Sequence, residues 1–394
     1  MELAEPVYGP NGQLLLQPGV NFNDRYIDHL RKLGLPAVYI ADPDTADIVA
    51  PRPVRTQTRH KARGELGKVM ERIAPNADEL RTLSLAMTQE HAGTDRFARA
   101  VRNAFGGTDG FDDIGKSVDG LMSDLLHADV LAGLGSIKCH DAYTYQHSID
   151  VTIMGIVLAR KAGWDDTRVR TFGIGCLLHD VGKVLVPAEI LNKPGKLTNE
   201  EFDEIKKHPF LGYQLIKALM PESAVLVPQV AYQHHERQNG KGYPRGLSGT
   251  NVLGDNQRGK IHEFGAVCAV ADVYDAMSSC RPYRTAWLPD RVAATVATLA
   301  GQDLNAQAVE LFMSVVAPYP MCSEVVVLSG PNVGCRGVVA KVSPQQLNRP
   351  LIRILNNGSG ERIEPIEIDL AACPEVQICS FSAASNAGTM SHAA

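Results

Sequence analysis

The sequence lacks several features that would assign it to a familiar class of protein. Its eight cysteines are scattered through 394 residues without a Cys-x-x-Cys pair, which argues against a zinc ribbon or a disulfide framework and favours a reducing cytoplasm. No apolar run reaches the ~18 residues that a membrane span needs. The opening Met-Glu-Leu-Ala-Glu has neither the cationic start nor the apolar core of a signal peptide. We therefore expect a cytoplasmic protein that does not enter a membrane.

An excess of basic residues is also missing, since the net charge is -5. Without an overall positive field, a nucleic-acid polymer is not an expected partner. An anionic substrate would have to be attracted by local charge or by metal. The hydrophobic fraction of 44% and the charged fraction of 21% are those of an ordinary globular protein with a sizeable core.

The length suggests two or three domains, at roughly 150 residues each. Helical periodicity fills most of the chain, while β patterns are confined to its two ends. We predict a mainly α protein with a small N-terminal α/β unit and a small β-rich C-terminal unit. The expected limits are 1–65 for the α/β unit and a linker, 66–136 for a helical connector, 137–317 for the main helical domain, 318–380 for the β unit and 381–394 for a disordered tail.

Two segments before the main domain leave alternatives open. The linker carries a basic cluster that either touches phosphate or, as such runs more often do, is simply solvated; its members are Arg52, Arg55, Arg59, His60, Lys61 and Arg63. The connector places Leu121, Leu125 and Leu126 on one face. It either packs on the next domain or pairs two subunits, so a homodimer through residues 66–136 is one expectation.

The dipeptide His179-Asp180 places two divalent-metal ligand types side by side, with Lys183 one turn later. Apolar residues before it fit one face of a helix that begins near Asp166, and Gly182 is a plausible helix end. A lone His-Asp pair arises easily by chance. Whether this pair binds metal therefore depends on whether the rest of the chain provides further metal ligands.

Further metal-ligand types surround this pair in sequence. They are His147 at the opening of an apolar helix, His208 between two helices, His234 and His235 before a glycine-rich loop, and Asp272 inside an apolar helix. Each alone has a plainer interpretation, such as a core histidine, a helix cap or an ion pair of Asp272 with an arginine. Together, five imidazoles and two carboxylates exceed the ligands of one metal site and fit two metals bridged by a carboxylate.

The motifs resemble those of the HD phosphohydrolase superfamily, and more specifically the HD-GYP domain of cyclic di-GMP phosphodiesterases. The matching motifs are His-Asp-x-Gly-Lys at 179–183, His-His-Glu at 234–236, Gly-Tyr-Pro at 242–244 and Asp-Val-Tyr-Asp-Ala-Met-Ser-Ser-Cys-Arg-Pro-Tyr-Arg at 272–284. The resemblance implies an HD-type helical bundle over 137–317. It also implies a metal-dependent enzyme that linearises cyclic di-GMP to pGpG, with a further step to GMP left open.

The resemblance also implies residue roles. One metal would be bound by His147, His179, Asp180 and Asp272, and a second by Asp180, His208, His234 and His235. Lys183 would contact the scissile phosphate, with Asp180 bridging the metals as the second catalytic residue. The rest of the substrate would be held by Gly242, Tyr243, Pro244, Asp275, Arg281 and Arg284. Mixed imidazole and carboxylate ligation suits iron or manganese.

Two positions depart from the family pattern. Tyr143 stands where members with three metals have a glutamate, so we expect two divalent metals. Asn239 stands where an aspartate is usual, and asparagine keeps the turn geometry. Two other functions are compatible with the sequence: an HD hydrolase acting on another cyclic dinucleotide, and a non-catalytic cyclic di-GMP sensor. The complete ligand set argues against a sensor.

Overall fold

The computed structural model describes residues 1–8, 14–32, 38–86, 93–106, 110–127, 143–279 and 287–381. The N-terminal unit consists of two short antiparallel pairs and one helix, and its small core contains Leu3, Val7 and Leu30. Strand β1 (Glu2–Leu3) pairs with β4 (Ile40–Ala41), and β2 (Val7–Tyr8) pairs with β3 (Leu14–Leu16), while α1 spans Asp24–Lys32.

Helices form the body of the molecule. The first group is α2 (Thr56–Ile73), α3 (Ala77–Ala86), α4 (Gly93–Phe105) and α5 (Gly110–Asp124). The second group is α6 (Tyr143–Lys161), α7 (Asp166–Leu177), α8 (Ala188–Leu191), α9 (Asn199–Ile205), α10 (His208–Leu219), α11 (Leu226–Gln233), α12 (Glu263–Ser278), α13 (Pro289–Thr298) and α14 (Ala306–Met313). A mainly α fold is therefore confirmed.

One hydrophobic core joins the two groups of helices. Leu66 of α2 and Phe97 of α4 belong to the same buried cluster as Ile153 of α6 and Phe264 of α12. The connector thus packs on the next domain, which is the first of the two alternatives. Residues 51–65 were expected to be a linker, but α2 begins at Thr56 because Ala62 and the apolar positions after it are buried on one face.

Three arginines of the basic cluster form ion pairs, although Arg52 and Arg55 are more than half exposed. Arg52 contacts Glu5 at 2.5 Å, Arg55 contacts Asp124 at 2.6 Å and Arg59 contacts Asp150 at 2.6 Å. The cluster therefore fastens α2 to the N-terminal unit and to the helical body.

Local sequence signals account for several helix ends. Asp165 caps α7 by accepting a hydrogen bond from the Arg168 amide, and Thr198 and Glu201 form a capping box at the start of α9. Helix α7 ends at Leu177, before the predicted Gly182. A short 3₁₀ turn, Val181–Leu185, follows instead and carries Lys183.

The C-terminal unit is a five-stranded antiparallel sheet in the order β8-β7-β6-β5-β9. The strands are β5 (Glu324–Val327), β6 (Arg336–Ser343), β7 (Gln346–Asn356), β8 (Arg362–Asp369) and β9 (Ile378–Ser380). Alternate residues such as Val325, Val339 and Ile352 form its core, as the period of two requires. The expected disordered tail falls almost wholly outside the described residues. Among the helices that the structure describes, none has the length and hydropathy to cross a membrane.

Candidate metal centre

The predicted ligands converge on one site in the helical body. They are His147 in α6, His179 and Asp180 directly after α7, His208 at the first residue of α10, His234 and His235 directly after α11, and Asp272 in α12. All are buried except His235, which is half-buried. Their ligand atoms form two groups, each within 4.8 Å: Asp180, His208, His234 and His235 in one, and His147, His179 and Asp272 in the other.

Asp180 lies between the two groups and presents one oxygen to each. Its Oδ1 is 3.3 Å from His208 Nε2 and 3.8 Å from His234 Nε2. Its Oδ2 is 3.5 Å from His179 Nε2 and 3.7 Å from His147 Nε2. A carboxylate in this position is able to bind two cations at once, one through each oxygen.

Three of the imidazoles share one arrangement, in which Nδ1 faces the backbone carbonyl three residues earlier. The pairs are His179 with Cys176 at 2.7 Å, His208 with Ile205 at 2.6 Å and His234 with Ala231 at 2.8 Å. Nδ1 is then the N–H donor, and in a neutral ring Nε2 keeps its lone pair for a metal.

The imine nitrogens produced by this arrangement are suited to binding a cation. His208 Nε2 and His234 Nε2 lie 3.3 Å apart, and two lone pairs at that distance repel each other. Within the described part of the chain, buried His179 Nε2 and Asp180 Oδ1 find no hydrogen-bond partner. Buried polar atoms normally have one. The donor set therefore fits divalent metal ions held between these residues.

His147 is oriented by a different partner. Its Nδ1 is 2.6 Å from a carboxylate oxygen of Asp275, and its Nε2 is 3.1 Å from Asp272 Oδ1. Asp275 is itself buried. Asp275 remains a predicted substrate-binding residue; its carboxylate contacts the His147 ring, where it is able to fix the orientation of the imidazole.

Burial and charge set the protonation of the site. Burial lowers the pKa of His179, and burial together with the neighbouring imidazoles lowers the pKa of His234 and His235 well below the usual value. These rings are neutral at pH 7 and able to act as ligands. Burial also disfavours a charged His147, but Asp272 and Asp275 outweigh it and raise its pKa to about 9.

The carboxylates remain ionised although they are buried. Burial favours the neutral acid, but Lys183 and the imidazoles of His179 and His208 hold the pKa of Asp180 well below its usual range. The pKa of Asp272 is held low against burial by His147 and His235. Both carboxylates therefore offer negative charge to a cation at neutral pH.

A glycine allows the turn after Asp180 to reach α10. A Cβ added at Gly182 would lie 2.1 Å from the carbonyl oxygen of His208 and 2.4 Å from the amide nitrogen of Gly212. Any side chain would therefore push the turn away from the first turn of α10. The close approach brings Asp180 and His208 into one site.

The loop after His235 is fastened by polar side chains. The carboxylate of Glu236 accepts hydrogen bonds from the amides of Arg245 at 2.8 Å and Leu247 at 2.7 Å. Asn239 donates its side-chain amide to Asp303 at 2.7 Å. An aspartate at position 239 would place two carboxylates together. The asparagine, which departs from the family pattern, is able to donate a hydrogen bond to Asp303 instead.

Of the residues predicted to bind substrate, some lie beside the predicted metal ligands and others fall outside the described part of the chain. Tyr243 packs over the His235 ring, with centroids 4.6 Å apart, so the Gly242-Tyr243-Pro244 loop lies beside the metal ligands. Lys183 Nζ contacts Asp180 Oδ2 at 2.5 Å. Arg281 and Arg284 lie outside the described residues.

Residues 137–304 match the model of the family described as HD domain. A cyclic di-GMP phosphodiesterase of Pseudomonas aeruginosa is 37% identical over 238 residues, which cover 60% of this chain and 54% of that protein. A cyclic di-GMP phosphodiesterase response regulator of Xanthomonas campestris pv. campestris is 34% identical over 161 residues, which cover 41% of this chain and 40% of that protein.

A protein of Vibrio cholerae named as specific for 3'3'-cGAMP is 34% identical over 148 residues, which cover 38% of this chain and 32% of that protein. The chain thus spans about half the length, or less, of these curated relatives. The resemblance to HD-GYP phosphodiesterases is confirmed by these matches.

Sequence reasoning missed several residues that shape the site. Glu236 was recognised only as part of a motif, and the partnership of Asn239 with Asp303 joins residues 64 positions apart. The contact of Asp275 with His147 was also not predicted. The spacing of three between Asp272 and Asp275 places both carboxylates on one helical face, which was the available signal that His147 lies between them.

Proposed function

We propose that the protein is a metal-dependent phosphodiesterase that hydrolyses cyclic di-GMP to pGpG, with GMP as a slower second product. The observation that carries this proposal is the division of the two Asp180 oxygens between two groups of imidazoles. A purely sensory module has no need of a bridging carboxylate. The names of the relatives support the same substrate.

The proposed centre holds two divalent metals, iron or manganese. His147, His179 and Asp272 would hold the first, His208, His234 and His235 would hold the second, and Asp180 would bridge them. Bound metals would supply Lewis acidity that activates water and neutralises phosphate oxygens. The Tyr143 side chain, on which the expectation of two metals rests, lies outside the described side chains.

The chain's own residues prepare this chemistry. Backbone carbonyls hold three rings with Nε2 facing the site, and Asp275 does the same for His147 from the other side. Lys183 is partly exposed beside Asp180, where its ammonium is able to donate to a substrate phosphate. Arg281 and Arg284 are proposed to add further charge to the phosphate-binding side, because guanidinium binds phosphate in a bidentate manner.

The test is a metal analysis of protein purified without oxygen, followed by turnover of a panel of cyclic dinucleotides. We expect two metals per chain and preferential cleavage of cyclic di-GMP to pGpG. Substitution of Asp180 by asparagine in the same preparation serves as the inactive control. Metal-loaded protein that leaves every cyclic dinucleotide intact would refute the proposal.

Another cyclic dinucleotide is the second candidate substrate, because a relative named as specific for 3'3'-cGAMP is about as similar as those named for cyclic di-GMP. The same panel of cyclic dinucleotides distinguishes the two candidate substrates.

A cytoplasmic location is part of the proposal. A homodimer through residues 66–136 remains a prediction to be tested by sedimentation.

A further inference from the structure

Phe202 is a large apolar side chain on α9 that the core does not use. It is 43% exposed, although it lies in a helix beside the buried metal ligands. Its ring meets the Tyr243 ring nearly edge-on, with centroids 6.4 Å apart and an interplanar angle of 78°. An isolated exposed aromatic needs no explanation, but one next to a catalytic loop does.

The rings of Tyr243 and Phe202 extend from His235, one of the predicted metal ligands. Tyr243 packs over His235. The His235 side chain is 17% exposed, whereas those of His147, His179, His208 and His234 are 4% exposed or less. Among the five imidazoles the His235 side chain is therefore the most exposed, and Tyr243 and then Phe202 follow it in a chain of ring contacts.

Phe202 is held in place by contacts that do not involve its ring. The capping box begins α9 immediately before it, and the Lys193 ammonium lies 2.7 Å from Glu201. Arg81 of α3 forms an ion pair with Glu204 of the same helix. The aromatic ring is thus presented on a short helix that is anchored at both ends.

The ammonium group of Lys206 lies close to the Phe202 ring. Lys206 Nζ lies 4.6 Å from the centroid of the Phe202 ring and is also paired with Asp203. Its side chain is 36% exposed, so the ammonium is accessible from solvent. An aromatic surface with an adjacent ammonium suits a purine base, whose face stacks on the ring and whose acceptor atoms meet the cation.

We propose that Phe202 is a substrate-binding residue that stacks against a purine base of the cyclic dinucleotide while the attached phosphate lies at the metal ligands. The proposal rests on the phosphodiesterase function and adds a base subsite made of Phe202, Tyr243 and Lys206. Stacking of one base on an aromatic residue is worth roughly a 5- to 150-fold change in affinity on alanine substitution, or about 1–3 kcal/mol.

The first experiment measures cyclic di-GMP affinity of metal-loaded protein by equilibrium dialysis, with calcium replacing the active metal to prevent turnover. Phe202→Ala is expected to weaken binding about 5- to 150-fold, and Phe202→Trp to retain it. Met313→Ala, which removes an exposed apolar side chain from α14, is the matched control and is expected to leave affinity unchanged. Inorganic phosphate, which has no base, should bind wild type and Phe202→Ala equally.

The second experiment provides a spectroscopic signature. The wild-type chain has two tryptophans, so Phe202→Trp adds a third whose fluorescence a stacked guanine should quench on titration with cyclic di-GMP. In steady state, Phe202→Ala should raise KM and leave kcat within about twofold, as expected when binding energy is lost equally in the ground and transition states.

The possible results distinguish a failure of the proposed base subsite from a failure of the proposed phosphodiesterase function. If wild type binds cyclic di-GMP but Phe202→Ala binds it equally well, or Phe202→Trp shows no added quenching, the base subsite is wrong and the function stands. A parallel loss of inorganic phosphate affinity would also overturn the subsite, because the defect would then concern the metal centre. If metal-loaded wild type binds no purine cyclic dinucleotide, both proposals fail.

Discussion

Arg59 of α2 and Asp150 of α6 form an ion pair across the helical body, with Nη1 2.6 Å from Oδ1. The side chains are 25% and 6% exposed, and Gln146 donates a second hydrogen bond to the same oxygen at 3.2 Å. Asp150 lies one turn after His147 on α6. The pair therefore fastens a helix from outside the matched HD domain to the helix that carries a proposed metal ligand.

Removal of this arginine should destabilise the protein strongly. Arg59→Ala removes one charge-assisted hydrogen bond from the buried Asp150 carboxylate, and the loss of such a bond typically costs about 1.5–3 kcal/mol. Urea unfolding of the metal-free protein measures the change. Arg170→Ala is the control, because Arg170 and Asp119 are both about half exposed and such pairs contribute about 0–1 kcal/mol. Equal losses in the two variants would show that the Arg59 pair has no special importance.

Asp180→Ala should release both metals, because each of its oxygens faces a different group of imidazoles. Metal analysis of protein purified without oxygen should fall from two per chain to none bound tightly. His235→Ala, which affects one group only, should retain the other metal. Two tightly bound metals in the Asp180 variant would rule out a bridging role.

Asp275→Asn tests whether that carboxylate orients the His147 ring. Loss of the charged partner of His147 should weaken the first metal about 10- to 100-fold, as loss of such outer partners usually does. Metal titration followed by calorimetry measures this. Asp203→Asn, an exposed carboxylate on α9, is the control. Normal metal affinity combined with a raised KM would instead favour substrate binding by Asp275.

The metal-free protein should lose stability as the pH rises. The pKa of His147 is raised from 6.5 to about 9 by Asp272 and Asp275, against the effect of burial. A raised folded-state pKa contributes stability that is complete below pH 6.5 and is lost as the pH rises through about 9. Unfolding by urea between these limits measures the slope, which His147→Gln should flatten. The same slope in both proteins would contradict this origin.

Alanine substitutions at Gly182 and Gly64 should change the stability of the protein in opposite directions, because only Gly182 lies close to another backbone segment. Gly182→Ala should cost about 1–3 kcal/mol or more, because its Cβ would meet the backbone of α10, and it should also displace Asp180 from His208. Gly64→Ala should stabilise by about 0.4–1 kcal/mol, since Gly64 is helical and nothing lies near its added Cβ. Thermal melting compares them; unchanged stability in Gly182→Ala would show that the turn relaxes freely.

A second ionic contact joins the two ends of the chain. Arg353 of β7 contacts Asp47 through two nitrogens, at 2.6 and 2.8 Å, and Arg362 of β8 contacts Asp42 at 2.6 Å and Asp44 at 2.5 Å. The N-terminal unit and the C-terminal sheet therefore meet through opposite charges. Neither unit's pattern predicted this contact, because ion pairs between residues about 300 positions apart leave no periodic signal.

The sequence by itself determined the mainly α fold, the capping box of α9 and the identity of the residues that could bind metal. These are local or compositional properties: periodicity selects the face that is buried, a cap satisfies the first amides of its own helix, and few side chains are good metal ligands. The motifs around His179 and Asp272 were therefore readable without coordinates.

Only the tertiary structure decided which groups face each other. It divided the oxygens of Asp180 between two sets of imidazoles, placed Asp275 behind His147 and brought Phe202 next to Tyr243. It also turned an expected linker into α2, because burial against helices far along the chain overrides a local excess of arginine and lysine. Distances between side chains from separate helices depend on how those helices pack, and a one-dimensional pattern does not contain that information.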